Sequence, residues 1–60
     1  MKWTVIVVGK EGVFSHSFTF VGSHDKREAF AEAQRRMYRG HTVGAIVAGD
    51  HPVYHPSMDA

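Results

Sequence analysis

The chain has 60 residues, with seven lysines and arginines, six acidic residues, five histidines and no cysteine. This length makes one domain, and the absence of cysteine excludes disulfide bonds and thiolate zinc sites. The formal net charge of +1 is too small to require a polyanionic partner. A core of this size supplies only about 3–5 kcal/mol, so we expect self-association to add stability.

Residues 2–8 and 13–21 are two predicted strands joined by a hairpin turn. The first reads KWTVIVV and is apolar on both faces, which is typical of a strand covered on both sides. The second contains FSHSFTF, with an aromatic or histidine side chain at every other position. Two glycines flank Lys10 and Glu11 and indicate the turn.

The length of this turn decides which side chains share a face of the hairpin. A two-residue loop, Lys10–Glu11, pairs Val8 with Val13 and Val5 with His16. One face of the sheet then carries Trp3, Val5, Val7, Phe14, His16, Phe18 and Phe20. The opposite face carries Thr4, Ile6, Val8, Val13, Ser15, Ser17, Thr19 and Val21.

Residues 25–39 have the pattern of an amphipathic helix that ends at Gly40. Asp25 followed by Glu28 fits a capping box, although Ser23 is a second candidate for the N-cap. The apolar stripe of the helix is narrow and consists of Ala29, Phe30, Ala33 and Met37. The basic side chains are Lys26, Arg27, Arg35, Arg36 and Arg39. Three of them fall in the last turns, where the helix dipole favours cations.

Residues 41–49 read HTVGAIVAG and predict a third strand, whose small side chains let another backbone approach closely. The residues that follow hold both prolines and include a short extended piece at Val53 and Tyr54. We therefore expect one domain over residues 1–54 and a C-terminal tail over residues 55–60 that is loose unless it docks.

The order strand, strand, helix, strand predicts an α+β fold of the β-β-α-β type. Strand one is the most apolar, so we place it in the centre of a three-stranded, mainly antiparallel sheet of order 2-1-3. The helix packs on one face of this sheet. We expect it to cover Phe14, Phe18 and Phe20, so that these rings form core rather than a ligand platform.

One helix leaves the second sheet face uncovered, and a large apolar patch usually marks a contact surface. We expect a homodimer, formed by face-to-face packing or by pairing of an edge strand. The self-association residues are Ile6, Val8, Val13 and Val21, with Ile46 as a further candidate. The alternative is that the C-terminal VYHPSM segment folds back over this face.

Histidine is frequent, yet the histidines do not form a recognisable site. Four candidate metal ligands lie towards the C-terminus: His41, Asp50, His51 and His55. The i, i+4 histidine spacing binds zinc on a helix, but Pro52 disfavours a helix there. The tetrapeptide GSHD is better explained as a helix start than as a catalytic triad. We expect no catalytic residue, no metal site and no cofactor.

These features predict a small non-enzymatic module that binds another protein. The small size of the chain suggests a bacterial or phage accessory factor that regulates a larger protein machine. The partner-binding side chains are the basic ones of the helix, Lys26, Arg27, Arg35, Arg36 and Arg39. The N-terminal apolar run is too short to span a membrane and lacks a signal-peptide cleavage pattern, which favours a cytoplasmic protein without a membrane partner.

The alternative function is nucleic-acid binding through the basic helix and the sheet. Arg35, Arg36 and Arg39 would contact phosphates, and exposed aromatic rings would stack on bases. Two acidic residues of the helix, Glu28 and Glu32, weigh against this alternative because they are spaced to pair with the arginines.

Overall fold

A computed structural model of the chain describes residues 1–59 and confirms the predicted α+β fold. Its elements are β1 (Lys2–Val8), β2 (Phe14–Val21), α1 (Lys26–Gln34) and β3 (Thr42–Ala48), with short 3₁₀ turns at Lys10–Gly12 and Pro56–Asp59. The sheet order is β2-β1-β3, and β1 is antiparallel to both neighbours. The last residue of the predicted tail, Ala60, lies outside the described residues.

The turn between β1 and β2 contains three residues, so the predicted two-residue loop is wrong. The Gly9 N–H donates to the Val13 carbonyl at 2.7 Å and closes a loop over Lys10–Gly12. Gly12 has a φ of 75°, which a glycine adopts without steric cost. Glu11 has a φ of 65° and carries the strain of a side chain in the left-handed region.

A β-bulge in β2 follows the longer turn. Val8 pairs with Phe14, whereas Val7 pairs with His16, so Ser15 is an extra residue in β2. Phe14 therefore shares the face of Val8, away from the helix. Our prediction that Phe14 is core under the helix is wrong, because the three-residue loop moves it to the other face.

Beyond the bulge, the side chains of β2 return to the predicted faces. Val5 pairs with Phe18, and Trp3 pairs with Phe20. Each partner lies two positions further along β2 than the shorter loop predicts, and a shift of two residues preserves the face. Phe20 is buried and Phe18 packs against the same cluster, which confirms these two rings as helix-face residues.

β3 also contains a bulge, at Gly44. Val43 lies before the bulge and is buried under the helix. Ile46 lies after it, pairs with Val5 and packs against the same core. Ile46 consequently faces the helix, and our assignment of this residue to the second face is wrong.

Asp25 caps the N-terminus of α1 as predicted, but the capping box is incomplete, because Glu28 bonds to Ser23 and not to the Asp25 N–H. The Asp25 Oδ1 accepts from the backbone N–H groups of Arg27 at 2.8 Å and Glu28 at 3.3 Å. The Asp25 N–H donates to Ser23 Oγ at 3.0 Å, and Ser23 Oγ donates to Glu28 Oε2 at 2.9 Å. These bonds satisfy backbone donors that the first turn of a helix leaves open.

The C-terminus of α1 is at Gln34, well before the predicted end at residue 39. The Gln34 Oε1 accepts from Thr42 Oγ1 and from the Val43 N–H, both at 3.1 Å. The Arg36 N–H already bonds to a carbonyl three residues back, as in a tightened last turn. The chain leaves the helical path here because Gln34 is tied to the start of β3.

The core is a small cluster between α1 and the centre of the sheet. Val5 and Val7 of β1 and Ala29 and Ala33 of α1 have no exposed surface. The cluster is completed by Trp3, Phe20 and Val43. Burial of each valine contributes about 1.5–3 kcal/mol. The side chains of these alanines are short, so the helix backbone lies close to the sheet.

The segment after β3 crosses the second face of the sheet, which is the face opposite α1. Thr4 of this face is 2% exposed. Its Oγ1 donates to the Gly49 carbonyl at 2.7 Å and accepts from the His51 N–H at 3.0 Å. Further along, the His55 ring stacks on Phe14 with a centroid distance of 4.6 Å and an interplanar angle of 8°. The C-terminal segment thus folds back over this face, as our alternative proposed.

The side chains that make this cover differ from those we named. Val53 is half-buried, but Tyr54 and Met58 remain exposed. The contact instead rests on the His51 backbone and the His55 ring. Neither contact was apparent from the sequence, because the hydrogen bond to Thr4 and the stack on Phe14 join residues distant in the chain.

We expect Thr4→Val to lower the free energy of unfolding by about 1–3 kcal/mol, because it leaves the Gly49 carbonyl and the His51 N–H without their partner. Chemical denaturation of the variant measures this loss. The control is Thr19→Val, at the exposed residue that pairs with Thr4 on the same face. That change should stay within about 0.5 kcal/mol of the wild type. Equal losses in both variants would show that the segment after β3 is not held by Thr4.

Candidate partner-binding surface

An apolar groove lies between the N-terminal half of α1 and the outer strand β3. It has a volume of about 630 Å³. Its lining residues, which we call the edge groove, are Trp3, Lys26, Arg27, Phe30, Ile46 and Ala48. The Phe30 ring belongs to the predicted apolar stripe, yet it is 39% exposed, because α1 packs through its alanines and leaves the larger ring at the flank.

The floor of the edge groove is held in place by hydrogen bonds. Trp3 is buried, and its indole Nε1–H donates to the Ser23 carbonyl at 2.8 Å. The Ser23 N–H donates to Glu32 Oε1 at 2.8 Å, and the Ser23 hydroxyl donates to Glu28. The β2–α1 connection is therefore fixed to both the sheet and the helix, so that the groove is formed before any ligand arrives.

The charged side chains of the edge groove are both cations. Lys26 and Arg27 lie in the first turn of α1, at the positive end of the helix dipole. Cations at this end weaken a helix, so helix stability does not account for their position. Glu28 and Glu32 are bound to Ser23. The two cations therefore remain available to an external carboxylate.

The outer edge of β3 adjoins this groove. β3 is an edge strand of the sheet, and all of its residues except the bulged Gly44 pair with β1 on the inner side. No fourth strand covers the outer side within residues 1–59, although the Val43 N–H donates to Gln34 Oε1 and the Ala48 carbonyl lies 2.8 Å from His51 Nε2. Ala45 and Ala48 are small and exposed, which leaves room for another backbone. An unpaired edge and an apolar groove thus lie side by side.

A second, more polar cleft lies at the opposite end of α1, beside β2. Its volume is about 290 Å³. Its lining residues, which we call the histidine–arginine cleft, are His16, Phe18, Arg36, Met37, Tyr38 and His41. The predicted set of five basic residues is thereby divided, with Lys26 and Arg27 at the edge groove and Arg36 in this cleft.

Contrary to our prediction, the three C-terminal arginines do not form the last turn of a helix. Arg35 is the C-cap residue of α1, and Arg36 and Arg39 follow in the turn towards β3. The Arg36 guanidinium carbon lies 4.9 Å from the centroid of the Phe20 ring, within cation–π range. The expected pairs with Glu28 and Glu32 are absent from the described part of the chain, because these carboxylates bind Ser23.

The four metal-ligand candidates of the sequence are dispersed among separate contacts. His51 Nε2 lies 2.8 Å from the Ala48 carbonyl, and His55 stacks on Phe14. Asp50 forms an exposed ion pair with Lys2 at 3.6 Å, and His41 lines the histidine–arginine cleft. Across residues 1–59, no group of three histidine, aspartate or glutamate side chains is arranged to hold a metal ion.

The predicted self-association residues separate into two pairs. Ile6 and Val8 are half-buried on the second face, across which the C-terminal segment runs. Val13 and Val21 remain 60% and 72% exposed. The apolar area left on this face is smaller than we expected, because the C-terminal segment covers part of it.

Sequence reasoning missed the edge groove. Trp3, Phe30 and Ile46 come from three different elements, so no spacing in the sequence links them. The available signal was the narrow alanine stripe of the helix, which implies that the helix approaches the sheet closely and that a large neighbouring ring is displaced to its flank.

Comparison of the chain with protein-family models, with curated proteins and with solved structures found no match. Among the described residues, none of the helices has the length and apolar character needed to cross a membrane.

The single tryptophan reports directly on the edge groove. We expect Phe30→Ala to open the groove, so that collisional quenching of Trp3 fluorescence by acrylamide increases at least about twofold as its burial falls. Tyr38→Ala, which removes an exposed ring at the other end of α1, should leave quenching unchanged. If Phe30→Ala has no effect on quenching, Phe30 does not shield Trp3 and the groove is not built as described.

Proposed function

We propose that this chain is a small non-enzymatic module that binds a partner protein at the edge groove. The ligand is an extended segment of the partner with apolar side chains and at least one flanking carboxylate. It adds to the free edge of β3 and places an apolar side chain against Phe30 and Ile46. The observation that carries this proposal is the juxtaposition of an unpaired edge strand and an apolar groove whose charged groups are both cations.

Addition of a strand to a sheet edge supplies both affinity and specificity in known modes of peptide recognition. The backbone groups of the edge bond to the incoming segment, and alternate side chains enter pockets beside the strand. Here the pocket on the helix side of β3 is lined by Phe30, Ile46 and Ala48. The ligand should therefore alternate, with its apolar positions facing the helix side of the sheet.

The cations at the groove define the charge of the ligand. Lys26 and Arg27 stand beside apolar walls, and a nearby apolar surface strengthens the attraction of a charge that reaches them. Their position at the start of α1 disfavours the helix, which is consistent with a binding role. Lys26 and Arg27 are two of the five partner-binding residues that the sequence predicted.

Selection from a displayed library of random peptides tests this proposal. The peptides should be longer than the seven residues of β3. We expect the selected sequences to combine alternating apolar residues with aspartate or glutamate, and to change the Trp3 emission on binding. Phe30→Ala should weaken their binding at least about tenfold, which corresponds to about 1.4 kcal/mol. Arg27→Gln should weaken it less and reduce its dependence on salt.

The matched control for Phe30→Ala is again Tyr38→Ala, because it removes a ring from the opposite end of α1. Peptides that bind Phe30→Ala and the wild type equally well would contradict the proposal. So would selected sequences rich in lysine and arginine, because these would be repelled by Lys26 and Arg27.

We also propose, as a separate point, that the exposed valines of the second face support a homodimer. Sedimentation of the wild type at high concentration should then give the mass of two chains, and Val21→Glu should give the mass of one. Phe30→Ala should remain dimeric. A monomeric wild type would refute self-association. A dimer lost in Phe30→Ala but kept in Val21→Glu would mean that a second copy occupies the edge groove.

A further inference from the structure

The histidine–arginine cleft brings two imidazoles from distant parts of the chain together. His16 lies on β2, and His41 directly precedes β3. Their ring centroids are 6.1 Å apart, with an interplanar angle of 60°. The rings stand over an apolar floor of Phe18 and Met37, both of which pack against the core. The pair is therefore held by the fold rather than by neighbouring positions in the sequence.

In each imidazole, Nδ1 is the nitrogen that contacts another group of the protein. His41 Nδ1 lies 3.3 Å from the Arg39 carbonyl, and His16 Nδ1 lies 3.0 Å from Ser15 Oγ. A carbonyl only accepts, so His41 Nδ1 carries the hydrogen in that contact. The Nε2 of each ring makes no hydrogen bond within residues 1–59, so it is the nitrogen left for a ligand.

The groups around the two imidazoles are cationic. Arg36 lines the cleft, Arg39 adjoins His41, and Lys10 lies against Gly40 from the β1–β2 turn. The remaining titratable neighbour is Tyr38. No carboxylate lines the cleft in the described part of the chain. The Arg36 guanidinium contacts the Phe20 ring, and its N–H groups have no acceptor within residues 1–59.

An exposed aromatic ring adjoins these charges. Tyr38 is 83% exposed, although it is part of the cleft wall. Proteins that bind single-stranded nucleic acids combine exposed aromatic rings with nearby cations, because a base stacks on the ring while its phosphate contacts the cation. The cleft volume of about 290 Å³ suits one nucleotide unit rather than a duplex.

We propose that the histidine–arginine cleft binds one nucleotide unit of a single-stranded nucleic acid, with its phosphate on Arg36 and its base on Tyr38. A divalent metal on the same two nitrogens is disfavoured because Arg36, Arg39 and Lys10 would repel it. This proposal uses none of the edge groove residues and stands apart from the peptide-binding function.

Fluorescence anisotropy of the whole chain with a labelled single-stranded oligothymidylate tests the proposal. We expect Tyr38→Ala to lower the affinity at least about fivefold, because it removes the ring on which the base stacks. Arg36→Gln should lower the slope of log affinity against log salt by about 0.7, the value for one lost phosphate contact to a single strand. Both variants should remain folded by circular dichroism.

Arg27→Gln is the matched control, because it removes the same charge from the other end of α1. It should leave oligonucleotide affinity within about twofold of the wild type. Inorganic phosphate should compete weakly, and a mononucleotide should compete better because it also brings a base. If phosphate competes as well as the mononucleotide, the cleft is a simple anion site without base stacking, and the proposal fails.

Three further results would overturn the proposal. Equal losses in Arg27→Gln and Arg36→Gln would indicate general attraction by the net charge. Binding that is the same in Tyr38→Ala and in the wild type would exclude base stacking on Tyr38. Tight binding of zinc alone, abolished by His41→Gln, without any binding of the oligonucleotide would assign the cleft to a metal. Because Phe30→Ala should not affect any of these measurements, failure here is distinguishable from failure of the edge groove function.

Discussion

The close approach of α1 to the sheet, with β3 as its nearest strand, is the constraint on which the rest of this structure depends. Ala29 and Ala33 meet a core centred on Val5 and Val7, and all four side chains are fully buried. Because the alanines hold the helix close to the sheet, a large ring does not fit between the helix and the sheet. Phe30 is therefore displaced towards β3, and the edge groove forms beside it. At the other end of α1, the histidine–arginine cleft lies beside β2.

Two β-bulges decide which side chains reach these surfaces. The three-residue turn places Phe14 away from the helix, where His55 stacks on it, and the bulge in β2 returns the following residues to their predicted faces. The bulge in β3 keeps both Val43 and Ile46 on the helix face, where Ile46 becomes a wall of the groove. Bulges commonly redirect side chains in this way at sheet edges. The second face is consequently shielded in part by the chain itself.

The two candidate surfaces differ in chemistry and lie at opposite ends of one short helix. The edge groove is apolar, adjoins an unpaired strand and carries two cations that oppose the helix dipole. The histidine–arginine cleft is more polar and combines imidazoles, a guanidinium and an exposed phenol. The basic residues of the sequence are thus divided between the two candidate sites, so that each carries cations although the net charge is only +1.

The sequence by itself determined the element types, the central position of β1, the strand order and the Asp25 cap, because these follow from apolar periodicity and local hydrogen bonding. It did not determine the faces of Phe14 and Ile46, since one extra residue in a strand reverses a side chain. It placed the helix end too late because Gln34 binds a strand distant in sequence. Both candidate sites arose from contacts between elements, which only tertiary packing specifies.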